Sequence, residues 1–88
     1  MTQGRRRSTL LGETVRYHFG RRLRRLRRDR DLSQEALAHM AGLDRTYVSG
    51  VERSERNPTL VNVSCLAGAL GVELTVLLEG VPTIKPDA

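Results

Sequence analysis

The segment SQEALAHMAGLDRTYVSGVER, Ser33 to Arg53, divides into two short helical patterns around a single glycine. Ser33 stands as an N-cap with Gln34 and Glu35 in the first turn, because a short side-chain oxygen there accepts from a backbone N–H that the helix leaves without a partner. Leu37, Ala38 and Ala41 recur on one face, and Gly42 supplies the left-handed residue that stops the helix. The spacing predicts a helix over 34–41. Asp44 then caps a second helix from Arg45 to about Arg53, and Asn57-Pro58 forbids its continuation. Two helices joined by so tight a turn make a helix-turn-helix.

On a helical wheel, Val48 and Val51 share the inner face of the second helix, and Thr46, Ser49, Gly50 and Arg53 share the outer one. A glycine in mid-helix costs about 1 kcal/mol relative to alanine. One reading is that the outer face approaches the floor of a DNA groove, where a large side chain would block contact. The other is that Gly50 relieves crowding against a neighbouring helix.

Working outward, Phe19, Leu23 and Leu26 recur at spacings of four and three, which predicts one apolar stripe on an arginine-covered helix over about 17–30. Thr59 caps a fourth helix in which Leu60, Val63, Ala67 and Leu70 share a face and Gly71 ends the run. A last short helix is expected near 74–79. The expected fold is all-α, a compact five-helix bundle without strands. Its domain spans 15–80, between a flexible basic N-terminal arm (1–14) carrying Arg5, Arg6 and Arg7 and a C-terminal tail (81–88).

The net charge of +5 conceals a division. Residues 1–30 hold eleven arginines against Glu13 and Asp29, whereas residues 31–88 hold four basic residues against eight acids. A basic segment on one side of a small domain suits nucleic acid, and also an anionic membrane surface or an acidic protein partner. With Phe19, Tyr17 and Tyr47 as the only aromatics, a stacking platform for single strands is missing, so double-stranded DNA is favoured over RNA.

The single cysteine, Cys65, offers no disulfide partner within the chain and suits a reducing compartment. No signal-peptide pattern and no apolar run of membrane-spanning length appear, so the expected setting is the cytoplasm. His18 and His39 have no arrangement of metal-ligand type, and no serine has a histidine placed as its base. Neither an enzymatic activity, a metal, a cofactor nor a small-molecule ligand is expected.

These residues resemble a known family. Arg27, Ser33-Gln34-Glu35-Ala36-Leu37-Ala38, Val48, Val51, Glu52-Arg53, Asn57-Pro58 and Leu66-Ala67-Gly68-Ala69-Leu70-Gly71 match the pattern of the phage-repressor and Cro type of helix-turn-helix domain, over about two-thirds of the chain. Within that XRE-like family, the run from Leu43 to Asn57 is most similar to controller proteins of bacterial restriction-modification systems, small homodimeric regulators without a ligand domain. The resemblance implies roles position by position. Arg45, Thr46 and Ser49 would read base edges. Gln34, Tyr47, Arg53, Arg56 and Asn57 would hold phosphates. Arg27 and Glu52 would pair beneath the DNA-binding face.

The C-terminal run VELTVLLEGVPTI, from Val72 to Ile84, holds more apolar residues than one short helix turns toward a filled core. The economical cover is a second copy, with Leu74, Val76 and Leu77 at the interface of a homodimer on an inverted-repeat operator. The other possibility is a monomer whose tail folds back over its own core. The expected function is a sequence-specific double-stranded DNA-binding transcriptional regulator. A rival on the same fold is an antitoxin or bridging module for protein interaction.

Overall fold

A computed structural model describes residues 2–85, and side chains from Leu11 onward. Five helices follow one another: α1 (Thr2–Asp29), α2 (Gln34–Ala41), α3 (Arg45–Glu52), α4 (Leu60–Leu70) and α5 (Leu74–Leu77), with no strand among the described residues. α1 begins well before the expected start near Tyr17. Leu10, Leu11, Glu13 and Arg16 are good helix formers and no proline intervenes, so the helix carries Gly12 at a cost of about 1 kcal/mol relative to alanine. The side chains of Arg5, Arg6 and Arg7 lie outside the described residues.

The caps read from sequence organise α2 and α4. Ser33 Oγ accepts from the Ala36 N–H at 2.9 Å, and Thr59 Oγ1 from the Asn62 N–H at 3.1 Å. Gly42 and Gly71 close the two helices in left-handed geometry, with φ of 72° and 71°. Asp44 differs. It occupies the N-cap of α3 with extended backbone, but its side chain makes no capping hydrogen bond. Position 54 holds a second surprise: Ser54 adopts a left-handed φ of 66° just after α3, a place usually given to glycine. Its hydroxyl donates to the Arg16 carbonyl at 3.4 Å, which ties the end of α3 to α1.

The core gathers Phe19, Leu23 and Leu26 from α1, Leu37 and Ala38 from α2, Val48 and Val51 from α3, Val63, Leu66, Ala67 and Leu70 from α4, and Leu77 from α5. α2 packs on α3 and α4, while α1 packs on α3 and α5. Two arginines, Arg22 of α1 and Arg30 just past its end, tie the bundle together, because the last carbonyls of a helix have no partner within it. Arg30 Nε donates to the Leu70 carbonyl at 2.7 Å, and Arg22 Nε to the Val76 carbonyl at 3.0 Å.

Two apolar assignments change. Leu60, expected on the inner face of α4, is 72% exposed: it is the first helical residue, and the chain enters α4 from outside the bundle. Leu77, expected at a dimer interface, is fully buried in the core of the chain itself. Leu74 also packs against that core, and Val76 is partly buried. The short α5 folds back and turns Leu74 and Leu77 toward this core, while Leu78 and Ile84 stay exposed.

The approach of α1 to α3 rests on Gly20. A β-carbon at that position would lie 2.5 Å from the Val51 carbonyl oxygen and 2.9 Å from that of Glu52. Both are backbone atoms, which no side-chain rotation moves aside.

Candidate nucleic-acid interface

The ends of α2 and α3 meet over a polar groove lined by Arg27, Ser33, Gln34, Glu35, His39 and Arg45. At its base lies the expected ion pair. Arg27 Nε donates to Glu52 Oε2 at 2.6 Å and Arg27 Nη2 to Glu52 Oε1 at 2.9 Å, a two-pronged fork. The third donor, Nη1, reaches the Leu32 carbonyl at 2.7 Å and so fixes the turn before α2. The side chains of Arg27 and Glu52 are 10% and 3% exposed. The hydrogen bond it donates to Glu52, more than the carboxylate's charge, holds the Arg27 guanidinium above the ordinary arginine value, against the opposing effect of burial.

Gln34, expected on a phosphate, joins this network: its Nε2 donates to Glu52 Oε1 at 3.0 Å. The amide carries two hydrogens, and one of them is on Glu52. The pair therefore also orients the side chain at the first position of α2, where backbone N–H groups point outward and favour an anion.

Along α3, Arg45 and Thr46 are exposed at the first two positions. Ser49 is partly buried, and its hydroxyl accepts from Arg53 Nη1, while Arg53 Nη2 donates to Glu55 at 3.0 Å. These two exposed partners shift each other: Arg53 is raised and Glu55 is lowered, chiefly by their hydrogen bond. Ser49 and Arg53, assigned to bases and to phosphate, thus form one surface unit. Asn57 is exposed in the loop.

Tyr47 and Gly50 correct the sequence reading. The Tyr47 hydroxyl is buried with no hydrogen-bond partner among the described residues, so it is not held out toward a DNA backbone. Gly50 is buried too. A β-carbon there would lie 2.7 Å from Arg56 Cγ. The crowding is therefore with a loop arginine, neither with open groove nor with a neighbouring helix. The Arg56 stem crosses α3 at Gly50 and brings its guanidinium to 5.7 Å from the centre of the Tyr47 ring, within cation–π range. Sequence could show that Gly50 needed space, but not that a residue six positions later fills it.

Gly50→Ala therefore sets two effects against each other. Alanine gains about 1 kcal/mol of helix propensity, and the atom it strikes belongs to an exposed side chain that can swing away. The variant is expected to melt no lower than the parent while losing affinity for its DNA site, as thermal melting and titration of a duplex would show together. A lower melting temperature would mean that Arg56 cannot leave.

With this geometry in place, comparison with known proteins is direct. Residues 23–77 match the helix-turn-helix family HTH_3. The chain belongs to that family. It is 40% identical over 68 residues to the control protein C.MunI of Mycoplasma sp, covering 76% of this chain and 92% of the relative. It is 41% identical over 66 residues to the control protein C.BamHI of Bacillus amyloliquefaciens, covering 74% and 82%. The crystal structure of the restriction-modification controller protein C.AhdI from Aeromonas hydrophila superposes with a TM-score of 0.70 at 55% identity, over 70% of this chain and 94% of that one. The protein is a helix-turn-helix transcriptional regulator related to restriction-modification controllers, and its family binds DNA through this motif. Among the described residues, no helix is long and apolar enough to cross a membrane.

Proposed function

We propose that the protein is a sequence-specific double-stranded DNA-binding regulator that acts as a homodimer on an inverted-repeat operator, in the manner of a restriction-modification controller. The observation that carries this reading is the outer end of α3: Arg45 and Thr46 stand exposed on a helix whose orientation is fixed from beneath by the buried Arg27–Glu52 pair. An arginine so placed suits bidentate donation to guanine O6 and N7, and Thr46 offers a methyl or a hydroxyl to a neighbouring base edge. Arg53 and Asn57, with Gln34 at the start of α2, keep the role of backbone contacts that set register. Arg56 changes role. Its course across α3 supports readout at the helix surface rather than a clamp out along the loop.

The test compares Arg45→Ala and Arg56→Ala on a selected duplex and on a random one. Each variant is expected to lose about 1 to 3 kcal/mol on the selected site and much less on random sequence. A uniform loss on both duplexes would return the residue to the phosphate set.

For the dimer, burial of Leu77 moves the interface. Among the described residues, the most exposed large apolar side chains are Leu60 and Val61, at 72% and 71%, with Leu78 and Ile84 also open. Leu60 and Val61 begin α4 directly after the loop that bears Arg56 and Asn57. A symmetric contact there would hold two α3 helices side by side, with Leu74 and Val76 at its edge. Replacing Leu60 and Val61 by aspartate should give a folded monomer that has lost cooperative binding, measured by sedimentation and by DNA titration.

A further inference from the structure

Outside this interface, one face of the molecule has no role in the reading above. Tyr17, Arg21, Arg24 and Arg28 form a stripe along the solvent side of α1, with Arg25 beside it, and all five are exposed. Arg21 donates to the Tyr17 hydroxyl at 3.3 Å. Arg24, Arg25 and Arg28 make no ion pair or hydrogen bond among the described residues, although Asp29 and Glu79 border the same shallow groove. Four arginines spaced three and four residues apart repel one another on a helix. Such a cluster is the electrostatic footprint of a surface that meets a polyanion.

The stripe lies about a quarter turn around α1 from Gly20 and Arg27, the side that meets α3. It therefore forms a basic face separate from the seam between α1 and α3. We infer that the α1 arginine stripe binds the phosphate backbone of DNA flanking the operator, on the same molecule that α3 occupies. Once α3 is seated, that flank is tethered within reach, so its effective concentration far exceeds that of any separate duplex. This inference rests on the proposed DNA-binding function and extends it to a second contact surface. Residues 2–22, outside the family match, supply part of the same basic helix and include Arg21.

The experiment uses the full chain and a duplex recovered by selection from a random pool, in two lengths of about 20 and about 60 base pairs, across a range of salt. The parent should bind the longer duplex roughly tenfold more tightly, with a salt dependence steeper by about two to three units, near 0.9 for each phosphate neutralised. A variant with Arg21, Arg24, Arg25 and Arg28 changed to glutamine, a comparably good helix former, should bind the shorter duplex as the parent does and lose the added affinity and slope on the longer one. R24Q/R28Q alone should show about half the loss, and circular dichroism checks that each variant is folded. A length preference unchanged in the folded variants, or no preference in the parent, would overturn the inference and leave an acidic protein as the occupant. An equal loss on both lengths would also overturn it, placing the stripe on the operator itself. If the parent binds neither duplex selectively, the functional reading fails first.

Discussion

Gly20→Val should lower stability by about 3 kcal/mol, the upper end of the usual overpacking cost. In a domain of this size that is roughly 12 to 24 °C of melting temperature, at about 4 to 8 °C per kcal/mol. Helix propensity argues the other way, since leaving glycine gains several tenths of a kcal/mol. The clash wins because its partners are backbone: the new β-carbon would meet the carbonyl oxygens of Val51 and Glu52 at 2.5 and 2.9 Å. Relief requires α1 to move off α3, which opens the contacts of Phe19 and Leu23 in the core. DNA binding should fall with stability, because the C-terminal end of α3 would lose its support. Thermal melting by circular dichroism checks the prediction, and a melting temperature equal to or above that of the parent would show that α1 and α3 are farther apart than described.

Arg27→Ala should cost about 3 to 5 kcal/mol, the usual penalty for leaving one member of a buried pair without the other. Glu52, 3% exposed, would keep only the Gln34 amide, and the Leu32 carbonyl would lose its donor. The pair itself adds little net stability, because desolvating both charges offsets most of their attraction. The double variant with Arg27→Met and Glu52→Leu should therefore recover most of the loss. Its DNA affinity should stay low, since Gln34 and the end of α3 would no longer be held in place. Chemical denaturation of the singles and the double measures the coupling, and additive effects would mean that the two residues act independently. The raised Arg27 value means that its contribution is fully present at and below neutral pH and is lost only as pH rises through the folded-state value, beyond the range in which proteins are handled.

What could be read from sequence divides along physical lines. Local chemistry was legible: Ser33, Gly42, Thr59 and Gly71 mark helix ends through interactions within a few residues of themselves, and α2 and α4 begin and end where those residues require. Helix periodicity placed Phe19, Leu23, Val48 and Val51 inward. Contacts between elements were not legible from periodicity. Gly20 looks like any tolerated helix glycine until α3 is laid across it, and Arg56 looks like a surface loop charge until its stem covers Gly50. Leu77 and Leu60 exchanged expectations for a related reason. Periodicity gives the face of a helix, while the angle at which the chain enters and leaves decides whether its first and last residues reach the core. The Arg27–Glu52 pair lies 25 positions apart in sequence and entered through family resemblance, with only the place of Glu52 near Val48 on the helical wheel to support it from this chain.

At the base of the functional account is the claim that two copies of α3, each held from beneath by Arg27 and Glu52, read one duplex through its grooves. Selection of bound duplexes from a random pool tests it most directly. The expected result is an inverted repeat whose half-site centres lie about 34 to 36 Å apart, one helical turn of DNA, or a multiple of that. Recovery of an unrepeated motif, or of no motif above background, would contradict it.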